Sequence, residues 1–459
     1  MQQPQAQPAE KFSEKFTDHA VNGVNLTEQT ADFVAAHRTE DVRQLALKAK
    51  RVEGLDLPLA LDQIAGWQIA CKKLPQWASC EGIIYPPHIS MEQCSSQFTA
   101  QYKSEIAQTL LTPAVTVRAR MSDSGESDTQ ETKTGVRVTD SPESDTLVAR
   151  SSMVDLTGGF GVDFSYLARG FSQATYVERQ RHLCDLAEHN MAALGLDQAR
   201  IVCDDGVEYL RQMDPVDFIY LDPARRDEHG SLTYAIEDCT PNVLELRDLL
   251  LAKSQCTLVK LSPMLDWRKA VADFDGTVRE VHIVATGNEC KELLLVLSQQ
   301  VHEEPSAPRV FCVNDNQRID YDSAAYTQGL RIGGKPLPET KNYLYEPNAS
   351  IMKAGCFDLV EERFGVTQVG PSSHLFVSAT PVADFPGRGF AIEAIGGMNK
   401  KDIKRLLNGT KQANIAVRNF PLTAPQLRKK LKLADGGPVY LFGTTMQGCD
   451  HVLLRTSKI

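Results

Sequence analysis

The stretch that most constrains this chain is Val154-Asp155-Leu156-Thr157-Gly158-Gly159-Phe160-Gly161-Val162-Asp163, an apolar strand that runs into glycines and then a helix. Glycines there let the backbone turn tightly and approach a ligand where a Cβ would collide. From Leu147 to Gln300, short β-rich runs alternate with helical ones, the pattern of a parallel sheet covered by helices on both faces. Strands are expected at Met153–Leu156, Ala174–Val177, Arg200–Cys203, Phe218–Leu221, Thr257–Leu261, Val281–Ala285 and Leu293–Leu297. The last two are joined by a short connection at Gly287-Asn288 instead of a helix, so the expected α/β sheet has seven strands and ends in a hairpin.

A glycine-rich turn alone is weak evidence, but its company is specific. Asp155, at the strand end, suits the ammonium of a methionyl group, and no Lys-Ser or Lys-Thr follows the glycines as a phosphate-binding loop would require. At the end of the next strand Glu178 can accept both hydroxyl hydrogens of a ribose. The third strand delivers Asp204 and Asp205, where an acid can accept a hydrogen bond from an adenine amino group. Asp205 fits that place better than Asp204, for which capping the helix Gly206–Arg211 is the competing role. Thr157, Gly158, Gly159 and Gly161 complete a set whose best cofactor is S-adenosylmethionine. The terminal hairpin agrees, because it separates the Rossmann-like class I methyltransferase sheet from an ordinary dinucleotide-binding one.

Strand four ends in Leu221-Asp222-Pro223-Ala224-Arg225-Arg226-Asp227. In parallel α/β sheets ligands sit beyond the carboxyl ends of the strands, so Asp222 and Pro223 should face the transferred methyl group. Arg225 and Arg226 carry guanidinium forks suited to a phosphate beside the target; pairing with Asp227 or Glu228 is the structural alternative.

The stretch 153–226 resembles RNA methyltransferases with an Asp-Pro-Pro-type fourth motif, including trimethylguanosine synthases. The whole chain resembles a bacterial family of class I methyltransferases with a C-terminal THUMP-like domain. That likeness rests on Gln93-Cys94-Ser95-Ser96 with Thr99–Lys103, Asp155–Asp163, Asp222–Asp227, Lys260–Asp266 and Glu289-Cys290-Lys291-Glu292, and covers most of residues 27–459. It implies an RNA-modifying role. Two departures narrow the chemistry. Ala224 and Arg225 stand where exocyclic-amine methyltransferases place a proline and an aromatic. Leu261-Ser262-Pro263 stands where 5-methyluridine enzymes place a nucleophilic cysteine, and Cys256 lies at the wrong end of its strand.

The rest of the chain divides by composition. Residues 1–20 are expected to be a disordered tail, 21–118 a helical N-terminal domain, 119–148 an acidic flexible linker, 149–304 the methyltransferase domain, 305–387 a small α/β domain and 388–459 a THUMP-like domain, the two C-terminal units being smaller α/β folds of ferredoxin-like/THUMP-like type. Further strands are expected at Arg309–Val313, Gly329–Ile332 and Leu375–Val377. The net charge of −10 hides strong segregation: residues 121–146 carry seven acidic and two basic side chains, residues 400–432 ten basic against one acidic. Two amphipathic helices there present Lys400, Lys401, Lys404 and Arg405, and Arg428, Lys429 and Lys430, a spacing that tracks a phosphate backbone. A Gln/Pro-rich N-terminus without a basic or apolar run, and eleven scattered cysteines, predict a cytoplasmic protein with reduced thiols. No metal-ligand spacing and no membrane-length apolar run occurs.

The expectation is therefore a cytoplasmic S-adenosylmethionine-dependent methyltransferase acting on a base in structured RNA, rRNA or tRNA. The alternatives are an inactive RNA-binding scaffold of the same fold, or a methyltransferase acting on a protein or small molecule.

Overall fold

The computed structural model describes residues 26–48, 53–86, 88–111, 151–224, 235–299, 307–326, 337, 340–448 and 450–459. The expected tail 1–20, the acidic linker, the strand Gly329–Ile332 and the pair Arg225 and Arg226 lie outside the described residues. The chain forms two compact units, one running to Lys260 with Leu297–Gln299, the other made of Leu261–Val296 and the residues from 300 on.

Among the described residues the first unit opens with six helices: α1 Glu28–His37, α2 Val42–Lys48, α3 Leu57–Lys73, α4 Pro75–Ser79, α5 His88–Gln93 and α6 Gln97–Leu111. Their starts are written in the sequence. Thr27 and Asp56 cap α1 and α3 by accepting from Thr30 N and Leu59 N, and Pro75 opens α4, where its missing N–H is not needed. α6 buries Thr99, Ala100, Lys103, Ile106 and Ala107, the i, i+3, i+4 face of one helix.

There follow β1 Ser152–Asp155, α7 Val162–Leu167, β2 Gln173–Glu178, α8 Arg181–Ala193, β3 Ala199–Cys203, α9 Gly206–Gln212, β4 Val216–Leu221, α10 Val243–Lys253 and β5 Ser254–Leu261. The strands are parallel in the order β3-β2-β1-β4-β5. The order reverses between β1 and β4, which opens a crevice beyond their carboxyl ends. Tyr176, Phe218, Ile219 and Tyr220 fill the centre with almost no exposure.

The helical segment is tied to this sheet by buried polar contacts. The Asn190 side chain brackets Ile84, accepting from its N and donating to its O at 2.9 Å each. Trp77 Nε1 donates to Ser165 Oγ at 3.1 Å, and Ser104 Oγ donates to Tyr166 O at 3.0 Å. Such atoms, once buried, require partners, so these bonds fix the seating of the helices.

In the second unit, after α11 Trp267–Asp273, β6 Val278–Thr286 and β7 Glu289–Ser298 are neighbours joined by Gly287-Asn288, both at positive φ (58° and 64°). That is the expected hairpin, turned by residues that tolerate the left-handed region. β8 Arg309–Asn314 runs parallel to β6, and β9 Gln317–Asp322 antiparallel to β8.

The remaining elements are β10 Tyr343–Pro347, α12 Ala349–Ala354, α13 Phe357–Phe364, β11 Thr367–Gln368, β12 Phe376–Ser378, β13 Gly387–Gly396, α14 Lys400–Leu407, β14 Asn414–Arg418, α15 Ala424–Leu431, β15 Val439–Thr445 and β16 His451–Lys458. Their strands form a second sheet in the order β11-β12-β10-β13-β16-β15-β14, antiparallel except for β14 beside β15. α14 and α15 bury Leu406, Leu427 and Leu431 with Leu441 and Leu453, while Leu344, Phe390, Phe442 and Leu454 form a separate cluster. Among the described residues no helix is long and apolar enough to cross a membrane.

Candidate active site

The glycine turn sits at the end of β1. Asp155 is 1% exposed, and its Oδ1 accepts from Thr157 N at 2.9 Å and from Thr157 Oγ1 at 3.4 Å. Burial pushes its carboxyl well above the usual range; the Thr157 N–H opposes this, and Asp163, Asp222 and Glu178 add to it. A buried acid among acids is a place that a ligand cation would stabilise. Gly158 N donates to Val177 O and Gly159 N to Glu178 Oε2, at 2.9 and 3.0 Å, so the turn is laced to the end of β2. Gly161, at φ 83°, starts α7 in a conformation that a side chain would strain.

Glu178 is nearly buried, and its other oxygen accepts from Gln180 N at 2.9 Å. At the end of β3 the helix cap falls to Asp205, whose Oδ1 accepts from Val207 N and Glu208 N at 2.9 and 3.2 Å. Asp204 Oδ1 accepts from Asp205 N at 2.8 Å. A Cβ on Gly206 would come within 2.2 Å of Leu156 O, so only glycine lets α9 start this close to the turn. Asp155, Glu178 and Asp205 thus stand at the carboxyl ends of β1, β2 and β3 in turn.

Asp222 follows β4, with its side chain partly open to solvent. Its N donates to Thr157 Oγ1 at 2.7 Å, so one hydroxyl joins the ends of β1 and β4. Pro223 is buried, and Ala224 exchanges two backbone hydrogen bonds with Thr240, at 2.8 and 3.0 Å. The turn presenting Asp222 is held at both sides.

Around it lies a charge cluster that sequence reasoning did not assemble. Lys260, at the end of β5, places Nζ 2.7 Å from Asp222 Oδ2 and 3.7 Å from Asp163 Oδ2. Asp163 pairs through Oδ1 with Lys103 Nζ at 3.1 Å, and Lys103 has no exposed surface. Ser95 Oγ and Tyr220 OH donate to Asp163 Oδ2 at 2.8 and 2.7 Å. Burial alone would raise the Asp163 carboxyl, but Lys103, Lys260 and the two hydroxyls outweigh it and hold it at about 2. Asp163 is therefore ionised, and the order Lys103, Asp163, Lys260, Asp222 alternates in sign.

The Gln93–Lys103 stretch was legible as a motif, with helix capping as the simpler reading for Ser95 or Ser96. The structure divides the roles: Ser96 Oγ accepts from Thr99 N at 3.2 Å, while Ser95 reaches the charge cluster. A signal for Lys103 was present, since it falls on the apolar face of α6 with Thr99, Ala100, Ile106 and Ala107.

The basic residues of the C-terminal helices are placed differently. Arg405 donates to Ile395 O at 2.7 Å and pairs with Asp402 at 3.3 Å, and Arg428 pairs with Asp435. Lys400, Lys401, Lys404, Lys429 and Lys430 are exposed.

A solved protein of Porphyromonas gingivalis W83, assigned as a methyltransferase, shares this architecture. It is 30% identical to this chain, covering 94% of it and 97% of its own length with a TM-score of 0.74. The chain belongs to that family. Within this methyltransferase-fold family, residues 343–386 match a ferredoxin-like domain and residues 387–458 a THUMP domain-like model. More distant is a SAM-dependent methyltransferase of Agrobacterium tumefaciens, 18% identical over 33% of this chain and 56% of its own, with a TM-score of 0.26. An rRNA methylase of Streptococcus thermophilus is 15% identical over 33% and 88%, with a TM-score of 0.25. No curated protein matches the chain. The architecture is α/β, with a Rossmann-like methyltransferase core, a helical N-terminal region and C-terminal ferredoxin-like and THUMP-like domains.

Proposed function

We propose that this protein is a cytoplasmic S-adenosylmethionine-dependent methyltransferase that modifies a nucleotide of structured RNA, rRNA or tRNA. The observation that carries the reading is the buried Asp155 carboxylate, crowded by other acids at the glycine turn, one strand away from Asp222. In this reading Asp155 takes the cofactor's ammonium and the turn Thr157, Gly158, Gly159 and Gly161 lines its chain: at Gly159 a side chain would meet no close neighbour, while Gly158 and Gly161 let the turn pack on Tyr176 and Met191. Glu178, already aimed by Gly159 N and Gln180 N, accepts the ribose hydroxyls, and Asp205 accepts the adenine amino group. Bound there, the cofactor supplies an electrophilic methyl on a sulfonium. Asp222 and Pro223 form the wall that orients the acceptor in line with it.

RNA as the substrate class is supported by the unbalanced charge of α14 and α15 and by the THUMP-like match. Arg225 and Arg226 are assigned to a phosphate next to the acceptor. Calorimetric titration with S-adenosylmethionine tests the site: Asp155→Ala should abolish measurable binding, whereas Asp222→Ala should bind within a few fold of wild type. Equal binding by wild type and Asp155→Ala would remove the cofactor assignment.

A further inference from the structure

The charge cluster bears on which atom receives the methyl group. We propose that the acceptor is a ribose hydroxyl oxygen of RNA, with Asp222 taking its proton and Lys260 fixing the Asp222 carboxylate. The inference rests on the RNA methyltransferase reading and replaces the expected base with a sugar.

Two observations converge on it. The first is charge. Lys103, Asp163, Lys260 and Asp222 are linked in turn at 3.1, 3.7 and 2.7 Å, two cations against two anions. An amino acceptor becomes cationic as the methyl arrives, so its site gains from net negative charge close by. Here Lys260 touches the Asp222 carboxylate and offsets that advantage. A hydroxyl is a weak nucleophile that attacks as its proton leaves, so negative charge builds on its oxygen and a neighbouring cation eases that departure.

The second is the missing ring. No aromatic side chain stands directly after Pro223, where exocyclic-amine methyltransferases place one, while a ribose needs no ring to stack on.

In the transfer step the hydroxyl oxygen forms a bond to the methyl carbon with one of its lone pairs. The carbon–sulfur bond breaks and leaves its pair on sulfur as a neutral thioether. The O–H bond breaks, its pair stays on oxygen, and the proton passes to the Asp222 carboxylate. Lys260 is a positioning residue, held from behind by Asp163 and by Ser95, whose Oγ lies 3.3 Å from Lys260 Nζ.

The test uses the full chain, labelled S-adenosylmethionine and RNA from cells lacking the protein, followed by digestion and nucleoside mass spectrometry. The expected product is a 2′-O-methylated nucleoside at a linkage that resists alkali, because alkaline cleavage needs a free 2′-hydroxyl. A synthetic RNA with 2′-deoxy sugar at the modified nucleotide alone should accept no label. Methyl on a base overturns the hydroxyl assignment and leaves the RNA reading standing. Label in protein or small molecules only, or no transfer at all, overturns the RNA reading and this inference with it. Lys260→Met should lower kcat by about 10²-fold or more with KM for the cofactor little changed, and Lys260→Arg should recover part of it. If Lys260→Met turns over like wild type, Lys260 has no positioning role; if that variant does not fold, the 2′-deoxy substrate decides with wild-type protein alone.

Discussion

Lysines do opposite work in two regions of this molecule. Near Asp222, Lys103 and Lys260 are buried or nearly so, and each contacts a carboxylate. On α14 and α15, Lys400, Lys401, Lys404, Lys429 and Lys430 are exposed, and the segment 400–432 has ten basic residues for one acid. Desolvating a charge costs several kcal/mol, so the interior tolerates cations only in balance with anions. The surface carries an excess at little cost to folding, and that excess is what a polyanion can use. The buried set should thus respond to mutation in turnover and stability, the exposed set in salt-dependent binding.

The largest effect is expected at Asp222. Asp222→Ala should reduce methyl transfer by about 10³-fold while leaving the melting temperature nearly unchanged, measured by single-turnover assay and thermal denaturation. Next comes Asp163→Asn, which leaves two buried lysines short of a counter-charge and should cost about 3–5 kcal/mol in urea denaturation. A cost below about 1 kcal/mol, the range of solvated ion pairs, would show that water reaches the cluster and blur the contrast between the regions.

The same residue gives a pH signature. Its folded carboxyl, at about 2, lies below the ordinary Asp value of about 3.9. The group therefore contributes stability that is present above about pH 4 and lost as pH falls toward about 2. Asp163→Asn should flatten that part of the stability profile. Replacing the five exposed lysines of α14 and α15 by alanine should leave folding intact and weaken RNA binding, lowering the salt slope by about one for each phosphate that a lysine no longer neutralises. An unchanged slope would detach these helices from RNA. The smallest effect belongs to the Asp205 cap, where Asp205→Ala should cost about 1 kcal/mol.

Much of the fold was legible because its signals are local. The β-rich runs predicted at Ala174–Val177 and Phe218–Leu221 lie inside β2 and β4, and Gly287-Asn288 announced the hairpin turn. β7 begins four residues before the expected Leu293, because Glu289–Lys291 are exposed or half-buried and Glu292, though buried, is a charged residue, so that only Leu293–Leu297 reads as core. The strand-end acids were legible for the same reason, each following an apolar run.

The charge cluster was not. Ser95 and Asp163, or Lys260 and Asp163, are distant in sequence, and only packing of α6 against α7 and the ends of β4 and β5 brings them together. Nothing local distinguishes Ser95 from Ser96, since either could cap α6. Periodicity shows that Lys103 is buried; it does not show which carboxylate waits for it.

The most direct test of the account compares wild type with Asp222→Ala in transfer of labelled methyl to RNA, with cofactor binding measured on both. The account predicts label in RNA from wild type and almost none from a variant that still binds S-adenosylmethionine. Equal labelling by the two proteins, or cofactor binding by wild type without transfer to RNA, would contradict it.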